Sequence, residues 1–311
     1  MEVAVSAILT VVGLVMLCFG GNWLVSGGVN IAKKFRISNL VIGMTIVAYG
    51  TSTSELAASV AAAEEHSAII LGNIIGSNIA NIGMVIGVSA MLIPLAVRKS
   101  ILRKEIPIML GVSFLLVLLS IDGEISQYDG ILLLGGLGVF AFYTYKNAMK
   151  YREENKEKIE KDKKNIYLKS MGLIGIGIVL LYVGANLTIE HAVILAKEFG
   201  LSEKIIGLTV IAIGTSLPEL ITSLIAIRKG HADIGIGTII GSNIYNILMI
   251  MGIGAALGGV MIGADVYVDY AIMIVFSLSL LIALKTGIIT RAMGVCLTIG
   301  YVAYLVVTFF K

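Results

Sequence analysis

The chain has 311 residues, 58% of them hydrophobic and 14% charged, against roughly a quarter charged in a soluble globular domain. That balance excludes a water-soluble enzyme. The two cysteines, Cys18 and Cys296, both lie inside apolar runs and leave no room for a disulfide framework or a cysteine metal site. The net charge of +3 reflects the sorting of basic residues by side of a membrane and implies no nucleic acid.

A bilayer-spanning helix takes about 20 apolar residues. Apolar runs predict ten such helices, near residues 3 to 25, 38 to 62, 68 to 93, 105 to 121, 130 to 147, 168 to 189, 203 to 227, 234 to 258, 267 to 284 and 289 to 310. The start MEVAVSAILT has no basic residue before its apolar run and no small-residue cleavage pattern after it, so the first segment reads as retained. When the connections are assigned alternately, one side collects KKFR (33 to 36), RKSILRK (98 to 104), the segment from Lys146 to Lys169, Arg228 with Lys229, and Lys285 with Arg291. These hold 20 of the 23 Lys and Arg residues. The other side keeps Lys197, Lys204 and Lys311 and carries Glu64, Glu65 and the stretch Asp122 to Asp129. The positive-inside rule then places both termini outside the cell and the central loop in the cytoplasm. That loop, residues 148 to 167, reads as a charged linker or helix extension, too short for a folded regulatory domain.

Residues 20 onward align with residues 184 onward: GGNWLVSGGVNIAKKF over GANLTIEHAVILAKEF, then ISNLVIGMTIVAYGTSTSEL over LSEKIIGLTVIAIGTSLPEL. One further residue of offset aligns GNIIGSNIANI (72 to 82) with GTIIGSNIYNI (237 to 247). Matched polar residues inside apolar helices, Thr45/Thr209, Thr51/Thr215, Ser52/Ser216, Glu55/Glu219, Ser77/Ser242 and Asn81/Asn246, mark an internal duplication. Each copy holds five predicted spans, an odd number, so the second copy enters the membrane in the opposite sense. The expected fold is therefore an all-α polytopic membrane protein of ten transmembrane helices in two inverted five-helix repeats. Residues 1 to 147 form the first repeat, 148 to 167 the cytoplasmic loop and 168 to 311 the second repeat. Inverted repeats are a usual architecture of secondary transporters, with substrate near the midplane.

Of the 20 acidic residues, Glu55 and Glu219 are the carboxylates deep within predicted spans. A charge there costs several kcal/mol, which makes an intramembrane carboxylate a functional candidate. In GTSTSE and GTSLPE, Thr51 and Glu55, like Thr215 and Glu219, stand four apart, and Ser52 and Ser216 stand three before their Glu, so all share one helix face. Gly50 and Gly214 loosen the backbone before the polar run, and Pro218 removes a donor. The carbonyls of Ala48, Thr51, Ala212 and Thr215 become candidate ligands. The next span of each copy adds Ser77 with Asn81 and Ser242 with Asn246, again four apart, while Gly72, Gly76, Gly237 and Gly241 read as helix-packing positions. A lining of carboxylates, hydroxyls, amides and carbonyls with no basic group suits a hard cation. Two carboxylates neutralise one Ca2+ or two of three Na+.

At these residues the sequence resembles the cation/calcium antiporter family, and within it the prokaryotic sodium/calcium exchangers. GTSTSE and GTSLPE form one motif pair and GSNIAN and GSNIYN the other, in the order and topology of the two α-repeats. The resemblance implies a central core of spans 2, 3, 7 and 8 holding the ions, with spans 1 and 6 as a sliding gate. It implies Glu55 and Glu219 as ligands shared by calcium and sodium, the Thr51 and Thr215 carbonyls in the calcium site, and Asn81 and Asn246 completing the centre. Ser52, Ser77 and Ala48, with Ser216, Ser242 and Ala212, would contact sodium. Asn22 and Asn186, matched in spans 1 and 6, read as gate-lining or helix-packing residues.

Two departures stand out. Ser54 occupies the family's usual proline position, which predicts a gentler break in span 2. Asn246 occupies a position where relatives with an acid are associated with potassium co-transport, which favours potassium independence. The sequence thus predicts an electrogenic Ca2+/Na+ antiporter that is not an enzyme, needs no cofactor and works as a monomer. Ca2+/H+ exchange is the nearest alternative, and a cation channel is the alternative of another class. An intramembrane hydrolase built on Ser52 and Glu55 would lack a midmembrane His or Lys as base. His66, His191 and His231 lie near connections and read as ordinary loop residues forming no metal site.

Overall fold

The computed structural model of the chain describes residues 2–53, 55–56, 59, 67–154, 164–200, 212–263 and 266–310. The protein is mostly helical, 87%, and is a multi-pass membrane protein. Among the described residues seven helices are long and apolar enough to cross a bilayer. The predicted spans 2, 4 and 7 are not among them; residues 54, 57–58 and 60–66 of span 2 and 203–211 of span 7 lie outside the described residues. The helix from Asn39 is interrupted after Thr51, where Ser52 has φ −75° and ψ 3°. The helix from Ala212 is interrupted after Thr215 at Ser216 (φ −93°, ψ 4°), before Leu217–Arg228. In the fourth segment the π-turn Ile101–Glu105 runs on into the α-helix Ile106–Leu119, and the charged residues Arg103, Lys104 and Glu105 in that first turn set it apart from the seven.

Three helices run several residues past their predicted bounds. Helix α1 (Glu2–Phe35) continues ten residues past the predicted end and stops where Arg36 takes φ 55°. The helix Lys164–Glu198 extends beyond the predicted span 168 to 189 at both ends. His191 therefore lies within a helix, its Nδ1 3.3 Å from Ser6 Oγ on α1, not near a loop as its position suggested. The central loop is likewise helical at its edges, since Gln127–Glu154 and Lys164–Glu198 reach into residues 148 to 167.

The fold is not purely helical. Two-residue strands pair antiparallel between connections: Leu95–Ala96 with Ile288–Ile289, and Glu124–Ile125 with Val260–Met261. These strands are too short for a periodicity signal, and their backbone groups would otherwise lack partners. An Arg98–Asp233 ion pair of 2.7 Å ties one connection to the start of helix Ala232–Tyr245.

Burial separates the centre from the rim. The stretches Ile70–Leu92 and Ala232–Gly258 are 83% and 94% buried, whereas the five other apolar helices are between 17% and 33% buried and present their apolar side chains outward. Each central stretch contains a π-turn, Asn81–Ile86 and Asn246–Met251, and a third covers Gly43–Val47. Such turns are frequent at functional sites. Gly237 and Gly241 pack as expected: an added Cβ would lie 2.9 Å from Leu40 O and 2.8 Å from the Met44 backbone. A Cβ added at Gly72 or Gly76 would meet no described atom of another segment within 4 Å.

Helix α1 and the helix Lys164–Glu198 run antiparallel in backbone contact. A Cβ on Gly20 would sit 2.9 Å from Gly177 O, one on Gly184 2.9 Å from Gly13 O, and one on Gly27 2.8 Å from Ser170 O. The seven-residue spacing on both helices keeps these small residues on one seam. Because the obstructing atoms are backbone, Gly20→Leu is expected to lower stability by about 1–3 kcal/mol. A melting-temperature comparison with Gly175→Leu, where nothing lies within 4 Å, checks this: only Gly20→Leu should melt earlier.

Candidate cation-binding site

The two interrupted helices bring their glutamates together at the centre. Glu55 and Glu219 are 1% and 0% exposed, and their carboxyls lie close enough to act directly on one another. Ser52 Oγ lies 3.4 Å from Glu219 Oε1 and 3.0 Å from Ser242 Oγ, with one proton to give to either, and Ser242 Oγ lies 3.5 Å from the same carboxylate oxygen. Thr51 Oγ1 is 3.5 Å from Ser242 Oγ. Ser77, on the helix Ser67–Ala80, is buried as well. Residues from both copies of the sequence motif therefore contribute to one buried cluster.

Gly50 and Gly214 serve close approach in this structure. A Cβ on Gly50 would lie 2.9 Å from Ile178, and one on Gly214 would meet Ile189, both on the helix Lys164–Glu198. The breaks beyond them share their geometry but differ in hydrogen bonding. Ser52 N bonds Ala48 O (2.9 Å), four residues back, whereas Ser216 N bonds Ile213 O (3.2 Å), three back. Ser54 itself lies outside the described residues. Ala48 O also accepts from Thr51 Oγ1 (3.1 Å), so both its lone pairs are engaged, and it can serve an ion only if Thr51 turns away. Thr215 is half-buried and Ser216 fully buried. Ala212 lies in the helical segment Ala212–Thr215, and its side chain is outside the description.

A network that the sequence reading did not single out fixes the amides. Asn78 Nδ2 donates to Asn243 O and Asn243 Nδ2 to Asn78 O, each 3.3 Å. Asn81 Nδ2 donates to Asn243 Oδ1 (3.0 Å) and Asn246 Nδ2 to Asn78 Oδ1 (3.1 Å). One N–H of Asn81 and one of Asn246 is thereby committed, which fixes each amide's orientation and leaves the Oδ1 atoms as acceptors. Asn78 and Asn243 match across the two GSN motifs, and that match was the signal for them. Glu105, at the edge of the fourth predicted span, is a second omission: it is 4% exposed and receives a 3.1 Å bond from Tyr143 OH.

Six buried acceptor oxygens of predicted site residues have no described protein donor: Glu55 Oε1 and Oε2, Glu219 Oε2, Asn81 Oδ1, Asn246 Oδ1 and Ser216 Oγ. Each such atom costs about 1–3 kcal/mol when left unserved. Two carboxylates among them raise the cost further, unless protons or cations meet them. Among the described residues no cluster of three or more His, Cys, Asp or Glu occurs, so the remaining donors to an ion are neutral oxygens. This set fits calcium or sodium, both hard cations that take oxygen ligands.

Comparison with known proteins agrees. The family model for sodium/calcium exchanger protein matches residues 5–146 and 169–310. The chain belongs to the sodium/calcium exchanger family. That family consists of membrane transporters, not enzymes. Relatives of this exchanger include the inner membrane protein YrbG of Escherichia coli, 34% identical over 96% of this chain and 94% of YrbG. Another is the sodium/calcium exchanger MaX1 of Methanosarcina acetivorans, 31% identical over 99% of both chains. A solved structure of the sodium-calcium exchanger NCX_Mj superposes with a TM-score of 0.86, at 33% identity over 98% of this chain and 99% of that one.

Proposed function

We propose that this exchanger is a secondary antiporter that moves Ca2+ against Na+ by alternating access. One observation carries the proposal: two buried carboxylates, one from each motif copy, meet among neutral oxygen acceptors that no described protein donor serves. Calcium would take both carboxylates with the Thr51 and Thr215 carbonyls and the Asn81 and Asn246 amide oxygens. Sodium ions would use the same carboxylates with Ser52, Ser77, Ser216 and Ser242, and with the backbone at Ala48 and Ala212. Without cations, two unpaired negative charges make a closed intermediate costly. Loaded forms switch and unloaded ones do not, which makes transport an exchange. More than two Na+ per Ca2+ makes it electrogenic, and an amide instead of an acid at Asn246 suits potassium independence.

The architecture in this reading is ten crossings in two inverted repeats, residues 1 to 147 and 168 to 311, joined by a cytoplasmic loop at 148 to 167, with both termini outside. The strand ladders support it. Residues 95–96 and 288–289 are separated by six helical passes and residues 124–125 and 260–261 by four, and an even number is needed for each pair to meet on one side. Helix α1 and the helix Lys164–Glu198, locked by their glycine seam, would move as one gate over the central helices. The transporter works as a monomer, since both halves of the site come from one chain.

Purified protein in sodium-loaded vesicles tests the function. Calcium uptake should follow the outward sodium gradient at clamped pH, and potassium or lithium should not replace sodium. Uptake driven by a proton gradient and indifferent to sodium would establish Ca2+/H+ exchange instead. Calcium flux needing no counter-ion would establish a channel.

A further inference from the structure

We infer that Lys229 is a latch that closes the cytoplasmic end of the seam between α1 and the helix Leu217–Arg228, making the two entrances of this exchanger unequal. The inference rests on the proposed alternating access and on the cytoplasmic placement of this connection. Lys229 follows Arg228 directly, and Gly230 (φ 79°) turns the chain behind it. Its Nζ donates to Ser26 Oγ (2.8 Å) and Asn22 O (3.4 Å) on α1, where Ser26 Oγ also donates to Asn22 O (2.6 Å). The ammonium thus docks on a single polar turn of the gate helix.

Between this latch and the candidate site the two helices touch. A Cβ on Gly21 would lie 3.1 Å from Thr222 Oγ1 and 3.2 Å from Ile225 Cδ1. Thr222 is fully buried, and its hydroxyl has no hydrogen-bond partner among the described residues. Glu219, Thr222, Ala226 and Lys229 are spaced i, i+3, i+7 and i+10, so they share one face of the helix and its first residue beyond. An ion leaving Glu219 toward the cytoplasm along this face passes the unserved Thr222 hydroxyl and then meets a tethered positive charge. The bond must break for α1 to move away, and the charge opposes a cation until it does.

The other sequence copy has no such group. Depending on where the one-residue offset falls, Lys229 aligns with Glu64 or Glu65, and Ser26 aligns with Glu190. The first copy's equivalent of the latch is acidic, which attracts a cation instead of repelling it. A symmetric pair of motifs is thus given a preferred side.

The test uses the full chain with Cys18→Ser, Cys296→Ser and Thr222→Cys, reconstituted in vesicles, and measures labelling of position 222 by a membrane-impermeant maleimide from the cytoplasmic face. Lys229→Met should raise the labelling rate by about tenfold, as expected for loss of a charge-assisted hydrogen bond. Ser26→Ala should raise it too, and Lys229→Arg should restore slow labelling. In the otherwise native chain, Lys229→Met should lower the half-saturating Ca2+ on the cytoplasmic side relative to the external side. Parental labelling rates in Lys229→Met overturn the latch. Should that protein fail to fold, parental rates in Ser26→Ala do the same. Labelling does not depend on which ions are exchanged, so a failure of the sodium/calcium reading shows in the flux assay and leaves this result separate.

Discussion

Calcium uptake into sodium-loaded vesicles is expected to fall at least about a hundredfold in Glu219→Gln and in Glu55→Gln, because breaking a buried charge interaction costs ~3–5 kcal/mol and each 1.4 kcal/mol is tenfold. Glutamine keeps the shape and an acceptor oxygen, so the bonds from Ser52 and Ser242 to Glu219 Oε1 can persist. What changes is the charge, and an amide N–H₂ turned toward the ion. Both proteins should fold, and in cation-free buffer both should melt no lower than the parent, since one of two facing buried carboxylates has become neutral. Calcium should also cease to raise the melting temperature, because a ligand stabilises only the state that binds it. Uptake within about threefold of the parent, with calcium still protecting against heat, would remove the two-carboxylate site from the mechanism, because an essential charged ligand cannot be lost at a cost of under ~1 kcal/mol.

The centre of this site is legible in the sequence for a physical reason. Apolar helices vary freely among Leu, Ile, Val and Ala, so polar residues repeated at matching positions, such as Glu55/Glu219 and Ser77/Ser242, stand out against a high cost of burial. Register is easier to read than hydrogen bonding. Ser52 and Ser216 occupy corresponding places, yet one amide bonds four residues back and the other three, a difference that no residue pattern announces. Helix ends are also poorly marked: α1 carries on through Lys33 and Lys34 to Phe35, since long basic side chains tolerate helix and reach water at the membrane edge. The glycine seam was visible as a spacing of seven at Gly13, Gly20 and Gly27, but only the antiparallel contact with Gly177 and Gly184 gives that spacing a meaning. Glu105 was obscured by its neighbours Arg103 and Lys104, which make the stretch look solvated, whereas its partner Tyr143 comes from a different helix.

Asn243→Leu carries the other large expected effect, although Asn243 supplies no free acceptor to the candidate site. Its side chain makes three bonds at once, donating to Asn78 O and to Met109 Sδ and accepting from Asn81 Nδ2. Leucine is close in volume but removes all three, and the buried Asn81 N–H₂ then loses its acceptor at a cost of about 1–3 kcal/mol. The cheapest repair is for the Asn81 amide to rotate until its donors find oxygen. The site itself holds unserved oxygens, those of Glu55 among them. An N–H₂ group would then occupy a place that a cation needs. Half-saturating calcium should therefore rise by about ten- to a hundredfold, the same ~1–3 kcal/mol expressed as affinity, while the melting temperature falls only modestly. Asn81→Leu, which deletes the amide and with it the misplaced donor, should weaken binding less when combined with Asn243→Leu than the two separate losses predict. Isothermal titration of calcium into the parent, both single variants and the double variant measures that coupling. Strictly additive losses would mean that Asn243 acts on the fold alone and does not aim the Asn81 oxygen.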